Sequence, residues 1–261
     1  MGFSHNPNVV NDGLVMAFDP ADFKSMVSGS TTVNDLSVSS NSGTLNDGKI
    51  GKDSAGSATA PVSSSGAFHF DSTDYISVSD GADFTFGTEP FSIEMWLKFT
   101  DFTPNGDVWN CPFQIYRVEG DRHGFFLFYN NSSTFEWRLE SSANGFYPPI
   151  VDMSAAGITL DKWHCIAISR QSEAVFKQYM DGQLLQTSTA ANGDNAGRGG
   201  TYSTNWLLID GTVFVGNYAT GDPHEFQGEM GPVRVYKGKA LSDEQIRQNF
   251  ESQVVVRLGL I

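Results

Sequence analysis

One nine-residue segment with strictly alternating side chains limits what this chain can fold into. The segment Phe91–Phe99 reads FSIEMWLKF, with apolar residues at every odd position and Ser, Glu, Trp and Lys at the even positions. Successive side chains of a β-strand point to opposite faces, so one face of this strand is wholly apolar and lies over a core, while the other is partly wet. Shorter patterns of the same kind recur along the chain, which favours an antiparallel all-β sandwich.

The other sequence signals are consistent with one domain of this kind. Roughly a dozen short strand signals are separated by turn residues, without an internal repeat or a clear change of composition. Asp181-Gly182 is a typical two-residue hairpin turn. Ser242 and Gln245 form a capping box that begins the one convincing helix. We therefore predict a two-sheet antiparallel jelly-roll sandwich with one short C-terminal helix, over residues 9–252.

Two terminal segments lie outside the predicted domain. Residues 1–8 form an N-terminal arm, and residues 253–261 form an apolar, β-prone tail that includes VVVRLGLI. Such a tail has to pack on its own domain or on a neighbouring molecule, because in water it would promote aggregation. We expect both segments to make contacts beyond the domain, and the protein to be oligomeric or part of a larger assembly.

The charge of the chain excludes several classes of function. It has 16 Lys and Arg against 30 Asp and Glu, a formal net charge of −14. Nucleic-acid binders carry a basic stripe that neutralises phosphates, and none is visible here. Anionic membrane surfaces are excluded for the same reason, and no apolar run approaches the roughly 18 residues of a membrane span. The N-terminus has no recognisable secretory signal. The acidity fits solubility, cation binding, or both.

Three segments, in order, resemble the laminin-G-like, concanavalin A-like family of jelly-roll domains. Their sequences are FHFDSTDYISV (68–78) with FSIEMWLKF (91–99), WHCIAISR (163–170) with YMDG (179–182), and FQGEMGPVRVY (226–236) with ALS (240–242). Together they span most of the predicted domain. The resemblance implies the fold but no single function, because this fold hosts lectins, adhesins, hydrolases and structural modules.

The two ends of the chain narrow the resemblance further. The segments NVVNDGLV (8–15) and NDLS (34–37), with the LGL sequence in the tail, resemble those of such domains in tailed-bacteriophage structural proteins. This implies a place on the surface of a virion. Other virion proteins are then the expected partners of the N-terminal arm and the C-terminal tail.

The sequence does not predict an enzyme. Glycoside hydrolases related to this family carry carboxylates spaced E-x-D-x-x-E on one strand, so that an acid and a nucleophile flank the glycosidic bond. The corresponding strand here has Glu94 without a carboxylate partner two residues on. A G-x-S-x-G nucleophile elbow and an H-E-x-x-H zinc helix are also absent from the sequence. Glycoside hydrolysis is therefore the least favoured interpretation.

The family resemblance also implies a structural calcium ion. Many members hold one where the opening strand and its loop meet the final strand, and Ca²⁺ prefers carboxylate, amide and backbone oxygens. Carried over by position, the candidate ligands are Asp19, Asp35, Asn41 and Glu229. The family pattern has Asp where this chain has Glu229. The alternative is that these are ordinary loop residues that cap turns.

Carbohydrate binding is the other candidate function of the loops. A glycan site needs exposed aromatic side chains beside polar groups, although most aromatic residues of a sandwich belong to its core. The candidates in or near predicted loops are Trp109, Phe146, Tyr147, Tyr202 and Tyr218. One hypothesis is a virion-associated adhesin that binds host-surface glycans. The other is an accessory protein that decorates or stabilises the capsid or tail, and the two are compatible.

Overall fold

A computed structural model describes most strands of the chain and its C-terminal helix. The described residues are 9–26, 30–46, 66–70, 74–79, 81–102, 109–117, 123–130, 134–140, 151–152, 156–172, 175–188, 211–216 and 226–257. In this part of the chain, no helix has the length and apolar character needed to cross a membrane.

Fifteen strands and one α-helix make up the regular structure of these residues. The strands are β1 (Leu14–Phe18), β2 (Thr32–Val33), β3 (Gly43–Asn46), β4 (Phe68–Phe70), β5 (Tyr75–Val78), β6 (Phe91–Phe99), β7 (Trp109–Arg117), β8 (His123–Asn130), β9 (Thr134–Glu140), β10 (Val151–Asp152), β11 (Trp163–Ser172), β12 (Val175–Met180), β13 (Gln183–Ser188), β14 (Thr212–Val215) and β15 (Gly228–Lys237). A 3₁₀ turn spans Ala82–Phe84, and the helix α1 spans Asp243–Arg257.

The strands form two antiparallel sheets, as the sequence predicted. The seven-stranded sheet has the order β1-β15-β6-β11-β12-β13, and β4 also pairs with β15. The eight-stranded sheet has the order β10-β9-β8-β7-β14-β5-β3-β2. Neighbouring strands are often distant in sequence, such as β6 and β15, which is the crossover pattern of a jelly roll rather than of a meander.

The predicted alternation of β6 is confirmed. Its five apolar residues are all 0% exposed and belong to the main core between the sheets. Phe113 and Ile115 of β7 and Val213 of β14 reach the same core from the eight-stranded sheet. The two sheets therefore pack face to face through one continuous apolar layer.

The opposite face of β6 is dry, where the sequence predicted a partly wet surface. Ser92, Glu94 and Trp96 are all buried, because α1 lies across this outer face. The ring of Phe250 in the helix stacks on Trp96 at 5.3 Å between centroids and 4° between planes. The alternation of side chains along one strand shows which residues share a face, but it cannot show that a helix from the end of the chain covers that face.

A buried polar network ties the helix to the sheet. Glu94 Oε1 accepts a 2.6 Å ion-paired hydrogen bond from Arg234 Nη1. Asn249 of the helix donates to Glu94 Oε2 at 2.9 Å and to the Tyr236 hydroxyl at 3.0 Å. The backbone N–H of Val10 donates to Asn249 Oδ1 at 2.9 Å. The network therefore joins the N-terminal segment, β6, β15 and α1.

Burial and charge keep the protons on two members of this network, Arg234 and Tyr236. Burial disfavours the charged form of Arg234, but the adjacent Glu94 carboxylate outweighs this effect and raises the pKa of the guanidinium above its ordinary value. Burial also raises the pKa of the Tyr236 hydroxyl. Both groups keep their protons near neutral pH, so the hydrogen-bond pattern does not change there.

The helix begins where the capping box predicts but ends later. Ser242 N–H donates to Gln245 Oε1 at 3.1 Å, and Gln245 N–H donates to Ser242 Oγ at 3.3 Å. Residues 253–257, predicted as the start of a β-prone tail, instead continue α1. Once a helix has begun, each further residue adds a backbone hydrogen bond, which outweighs the weak β preference of valine. The predicted arm (1–8) and residues 258–261 lie outside the described residues.

The buried ion pair generates a stability prediction. Glu94→Gln leaves the Arg234 charge buried without its counter-ion and should lower the free energy of unfolding by about 3–5 kcal/mol. Urea denaturation followed by tryptophan fluorescence measures this. The control is Glu94→Leu combined with Arg234→Met, which removes both charges and should be more stable than the single variant. A loss below about 1 kcal/mol for Glu94→Gln would show that the pair is not needed.

Candidate functional site

The outer face of the eight-stranded sheet carries the best candidate site among the described residues. On β14, Val213 and Val215 are buried in the core, so Phe214 lies on the opposite face and is half-buried. The same alternation on β5 places Tyr75 and Ser77 on the outer face. Rigid strands, rather than loops, hold these side chains.

Tyr75 and Phe214 form an aromatic pair on this face. Their ring centroids are 5.8 Å apart with an interplanar angle of 48°. Next to them Asn46 Nδ2 donates to Ser77 Oγ and to the Thr44 carbonyl, both at 2.8 Å. Partly exposed rings beside a few oriented amide and hydroxyl groups are the composition of a small-ligand site.

Phe214 of this pair belongs to a longer row of residues across the sheet. In the backbone register, one transverse row crosses six strands in the order Thr44, Ser77, Phe214, Gln114, Phe126 and Arg138. Adjacent strands lie about 4.8 Å apart, so the row spans about 24 Å.

Gln114, the neighbour of Phe214 in this row, has an unusual environment. The residue is 0% exposed, and neither Oε1 nor Nε2 of its side chain has a hydrogen-bond partner. An unsatisfied buried polar group costs about 1–3 kcal/mol. Because Gln114 is fully buried, a ligand on the surface of the sheet cannot reach its amide, and this cost falls on the stability of the fold.

Four of the five predicted glycan contacts lie outside the described residues: Phe146, Tyr147, Tyr202 and Tyr218. Trp109 is the first residue of β7, and its backbone pairs with Asn130 of β8. All five assignments stay predictions. Sequence reasoning missed the Tyr75–Phe214 pair because it assigned strand aromatics to the core. The alternation of Phe214 with two valines is the signal that could have identified it.

The structure brings together two of the four predicted calcium ligands. The N–H of Asn41 donates to Asp35 Oδ2 at 2.8 Å. The Asp35 carboxylate also accepts from the N–H groups of Ala17 (2.7 Å) and Ser37 (2.8 Å) and from the Ser37 hydroxyl (2.6 Å). Four donors occupy this carboxylate, which fits a residue that organises its loop.

The other two predicted ligands have different partners. Asp19 Oδ1 accepts from the N–H of Ala21 at 3.0 Å, as in a turn cap. Glu229 Oε1 lies 3.4 Å from Lys98 Nζ. Across the described residues, no group of three or more Asp, Glu, His or Cys side chains could hold a metal ion. The calcium site stays a prediction, and Asp35 with Asn41 is the part that the fold brings into contact.

The carboxylate of β6 does not face a substrate. Glu94 is buried beneath α1 and paired with Arg234. A glycosidase acid or nucleophile has to reach the scissile bond. Glu94 therefore acts as a structural residue.

The fold defines the class of protein as a concanavalin A-like jelly roll. A sequence model of the family described as the concanavalin A-like lectin/glucanases superfamily, of laminin G type, matches residues 70–247. The match covers more than half of the chain, and the chain belongs to this family. No curated protein matches the chain in sequence.

Several solved structures share the fold. The binding domain of botulinum neurotoxin serotype D has a TM-score of 0.62 and 18% identity, over 94% of this chain and 52% of that one. The serotype D domain in complex with N-acetylneuraminic acid has a TM-score of 0.61 and 17% identity, over 94% and 52%. Trypanosoma rangeli sialidase with the inhibitor DANA has a TM-score of 0.60 and 14% identity, over 95% and 34%.

These similarities show the fold alone, because all three identities are low. The chain spans about half the length of the neurotoxin domains, at 52% coverage, and a third of the sialidase, at 34%. The ligands of those proteins belong to them, and the site of this chain has to be argued from its own residues.

Gln114 generates the first prediction for this site. Gln114→Leu removes two unsatisfied groups at similar volume and should raise the free energy of unfolding by about 1–3 kcal/mol. Gln178 is also buried but has interaction partners, so Gln178→Leu is the matched control and should destabilise the protein. Urea denaturation of both variants measures the difference. A destabilised Gln114→Leu variant would show that the amide is satisfied in solution.

The calcium hypothesis has its own test. An ion that binds only the folded protein raises the melting temperature with calcium concentration, and EDTA should reverse the increase. Asp35→Asn should abolish the calcium-dependent increase in melting temperature. Thermal melts of both proteins in calcium and in EDTA measure it. Identical melting curves for the wild-type protein in the two conditions would exclude the site.

Proposed function

We propose that the protein is a non-enzymatic carbohydrate-binding domain whose glycan site is the outer face of the eight-stranded sheet. The observation that carries the proposal is the Tyr75–Phe214 pair, with the hydrogen-bonding groups of Asn46 and Ser77 beside it. The rings are held on two adjacent strands, and both remain partly exposed.

This arrangement matches the chemistry of a sugar ring. A pyranose presents a flat face of C–H groups and a rim of hydroxyl groups. The C–H face can cover an aromatic ring and remove apolar surface from water. The hydroxyl groups on the rim can exchange hydrogen bonds with the Ser77 hydroxyl and the Asn46 amide. The aromatic pair would supply contact area, and the polar neighbours would fix orientation.

The comparisons support carbohydrate as the ligand class. The family description names lectins and glucanases, and a neighbouring structure contains N-acetylneuraminic acid. The sialidase among the neighbours makes hydrolysis the second candidate. Binding without hydrolysis is favoured because Glu94, the carboxylate of the strand that corresponds to the hydrolase motif, is buried on the other sheet and paired with Arg234.

For the biological setting, we propose a virion-associated adhesin that binds glycans of a host surface. The support is the resemblance of residues 8–15 and 34–37 to phage structural domains. The alternative is a decoration protein attached to a capsid or tail through the N-terminal arm and the C-terminal tail. Gold labelling of intact particles separates them, since an adhesin should be found at fibre tips and a decoration protein across the capsid lattice.

The glycan site generates a binding prediction. A glycan array identifies a ligand, and titration calorimetry then compares variants. Phe214→Ala should weaken binding at least about tenfold, equivalent to about 1.4 kcal/mol, because the sugar loses its aromatic contact. Phe23→Ala is the control, since Phe23 is 64% exposed but lies on a loop.

Two results would contradict the proposal. One is a wild-type protein that binds no saccharide on the array. The other is a Phe214→Ala variant with wild-type affinity and normal folding. A separate assay for released reducing sugar tests the non-enzymatic part, and turnover of the bound glycan would favour the hydrolase.

A further inference from the structure

A second row of polar and aromatic side chains crosses the seven-stranded sheet. Its members, in order across four strands, are His69, Glu229, Lys98 and Trp163. His69 lies between Phe68 and Phe70 of β4, which point into the core, so His69 belongs to the outer face. On β11, Ile166 and Ile168 point into the core, and the alternation of the strand places Trp163 on the outer face. All four residues are half-buried.

The row lies on the part of this face that α1 leaves accessible. Ser92, Glu94 and Trp96 of β6 are buried, whereas the side chain of Lys98 is 24% exposed. Directly opposite residues on antiparallel strands have Cβ atoms about 4.5–5.5 Å apart. The side chains of Lys98 and Trp163 therefore start from adjacent positions on one surface.

Lys98 is held loosely compared with another paired lysine. Its Nζ lies 3.4 Å from Glu229 Oε1, longer than an ordinary charged hydrogen bond. Lys177 lies 2.8 Å from Asp243 and is 28% exposed, a similar exposure. Glu229 is the one partner of Lys98 found in the described part of the chain. An ammonium group has three donors, so Lys98 can accept another anionic partner.

Charge and shape together define the ligand that fits. The chain carries a net charge of −14, which disfavours anions over most of its surface. In this row, however, a cation and an imidazole flank the single carboxylate of Glu229. Trp163 adds a flat apolar surface next to the cation. A sugar ring that carries a carboxylate matches both features, with its C–H face on the indole and its charge on the ammonium group.

We infer that Trp163, Lys98 and His69 form a second saccharide subsite, on the opposite sheet from the aromatic pair, that selects carboxylate-bearing sugars. In the free protein Glu229 holds Lys98 in place, and the sugar carboxylate takes over this ion pair on binding. His69 lies two strands from Lys98, about 10 Å away at about 4.8 Å per strand, so its ring can donate a hydrogen bond to the next residue of an oligosaccharide. This inference rests on the proposed carbohydrate-binding function and adds a charge requirement to it.

The test compares acidic sugars with neutral counterparts. The probes are sialyllactose against lactose, and trigalacturonate against its methyl ester, by titration calorimetry at low and high salt. The wild-type protein should bind at least one acidic probe about tenfold or more tightly than its counterpart. This preference should weaken as salt screens the charge.

Two opposite charge variants give the decisive comparison. The Lys98→Gln variant should lose the preference for acidic over neutral sugars. The Glu229→Gln variant should bind acidic sugars several-fold more tightly, because Lys98 no longer has an ion-pair partner in the protein. Lys177→Gln is the matched control and should behave as wild type. Circular dichroism confirms that each variant is folded.

The outcomes separate this inference from the proposed function. Equal binding of acidic and neutral probes by the wild type, or an unchanged preference in Lys98→Gln, would overturn the subsite. If neutral glycans still bind and Phe214→Ala still weakens their binding, the proposed function stands without the second subsite. A protein that binds no saccharide at all would overturn both.

Discussion

The buried pair of Glu94 and Arg234 is the interaction on which the rest of the structure depends. It joins the neighbouring strands β6 and β15 of the seven-stranded sheet, and removing either partner would leave a buried charge without its counter-ion. Asn249 completes the pair from the helix and accepts a hydrogen bond from Val10. The strand, the helix and the N-terminal segment therefore have to assemble together, which gives the outer face of β6 its dry cover.

The position of α1 over β6 limits where a binding site can lie. Because α1 lies over the middle of one sheet, the described strand surfaces that remain partly exposed include β5 and β14 on the other sheet and the end of the covered sheet beyond the helix. Both surfaces carry aromatic side chains on β-strands, Tyr75 and Phe214 on one and Trp163 on the other. Sites built on strands hold their geometry more closely than sites built on loops.

Polar residues in this fold have different roles according to their partners. Asp35 accepts four hydrogen bonds, which fits a carboxylate that organises its loop. Among the described residues, Gln114 has no partner for its amide but is fully buried, so a ligand cannot reach it, whereas Lys98 is partly exposed and has one partner at 3.4 Å. A saturated group stabilises the fold, whereas an unsaturated group can gain free energy from a ligand. This contrast, more than residue type, separates structural from functional candidates here.

Local periodicity in the sequence determined the sandwich, the inward face of β6 and the start of the helix at Ser242. These features depend on residues a few positions apart, whose side chains alternate or cap in fixed patterns. Only the tertiary structure showed that the other face of β6 is dry and that Tyr75 meets Phe214. It likewise paired Glu229 with Lys98, a contact that the sequence analysis did not predict. Such contacts join strands that are distant in the chain, and strand order and register decide them rather than local pattern.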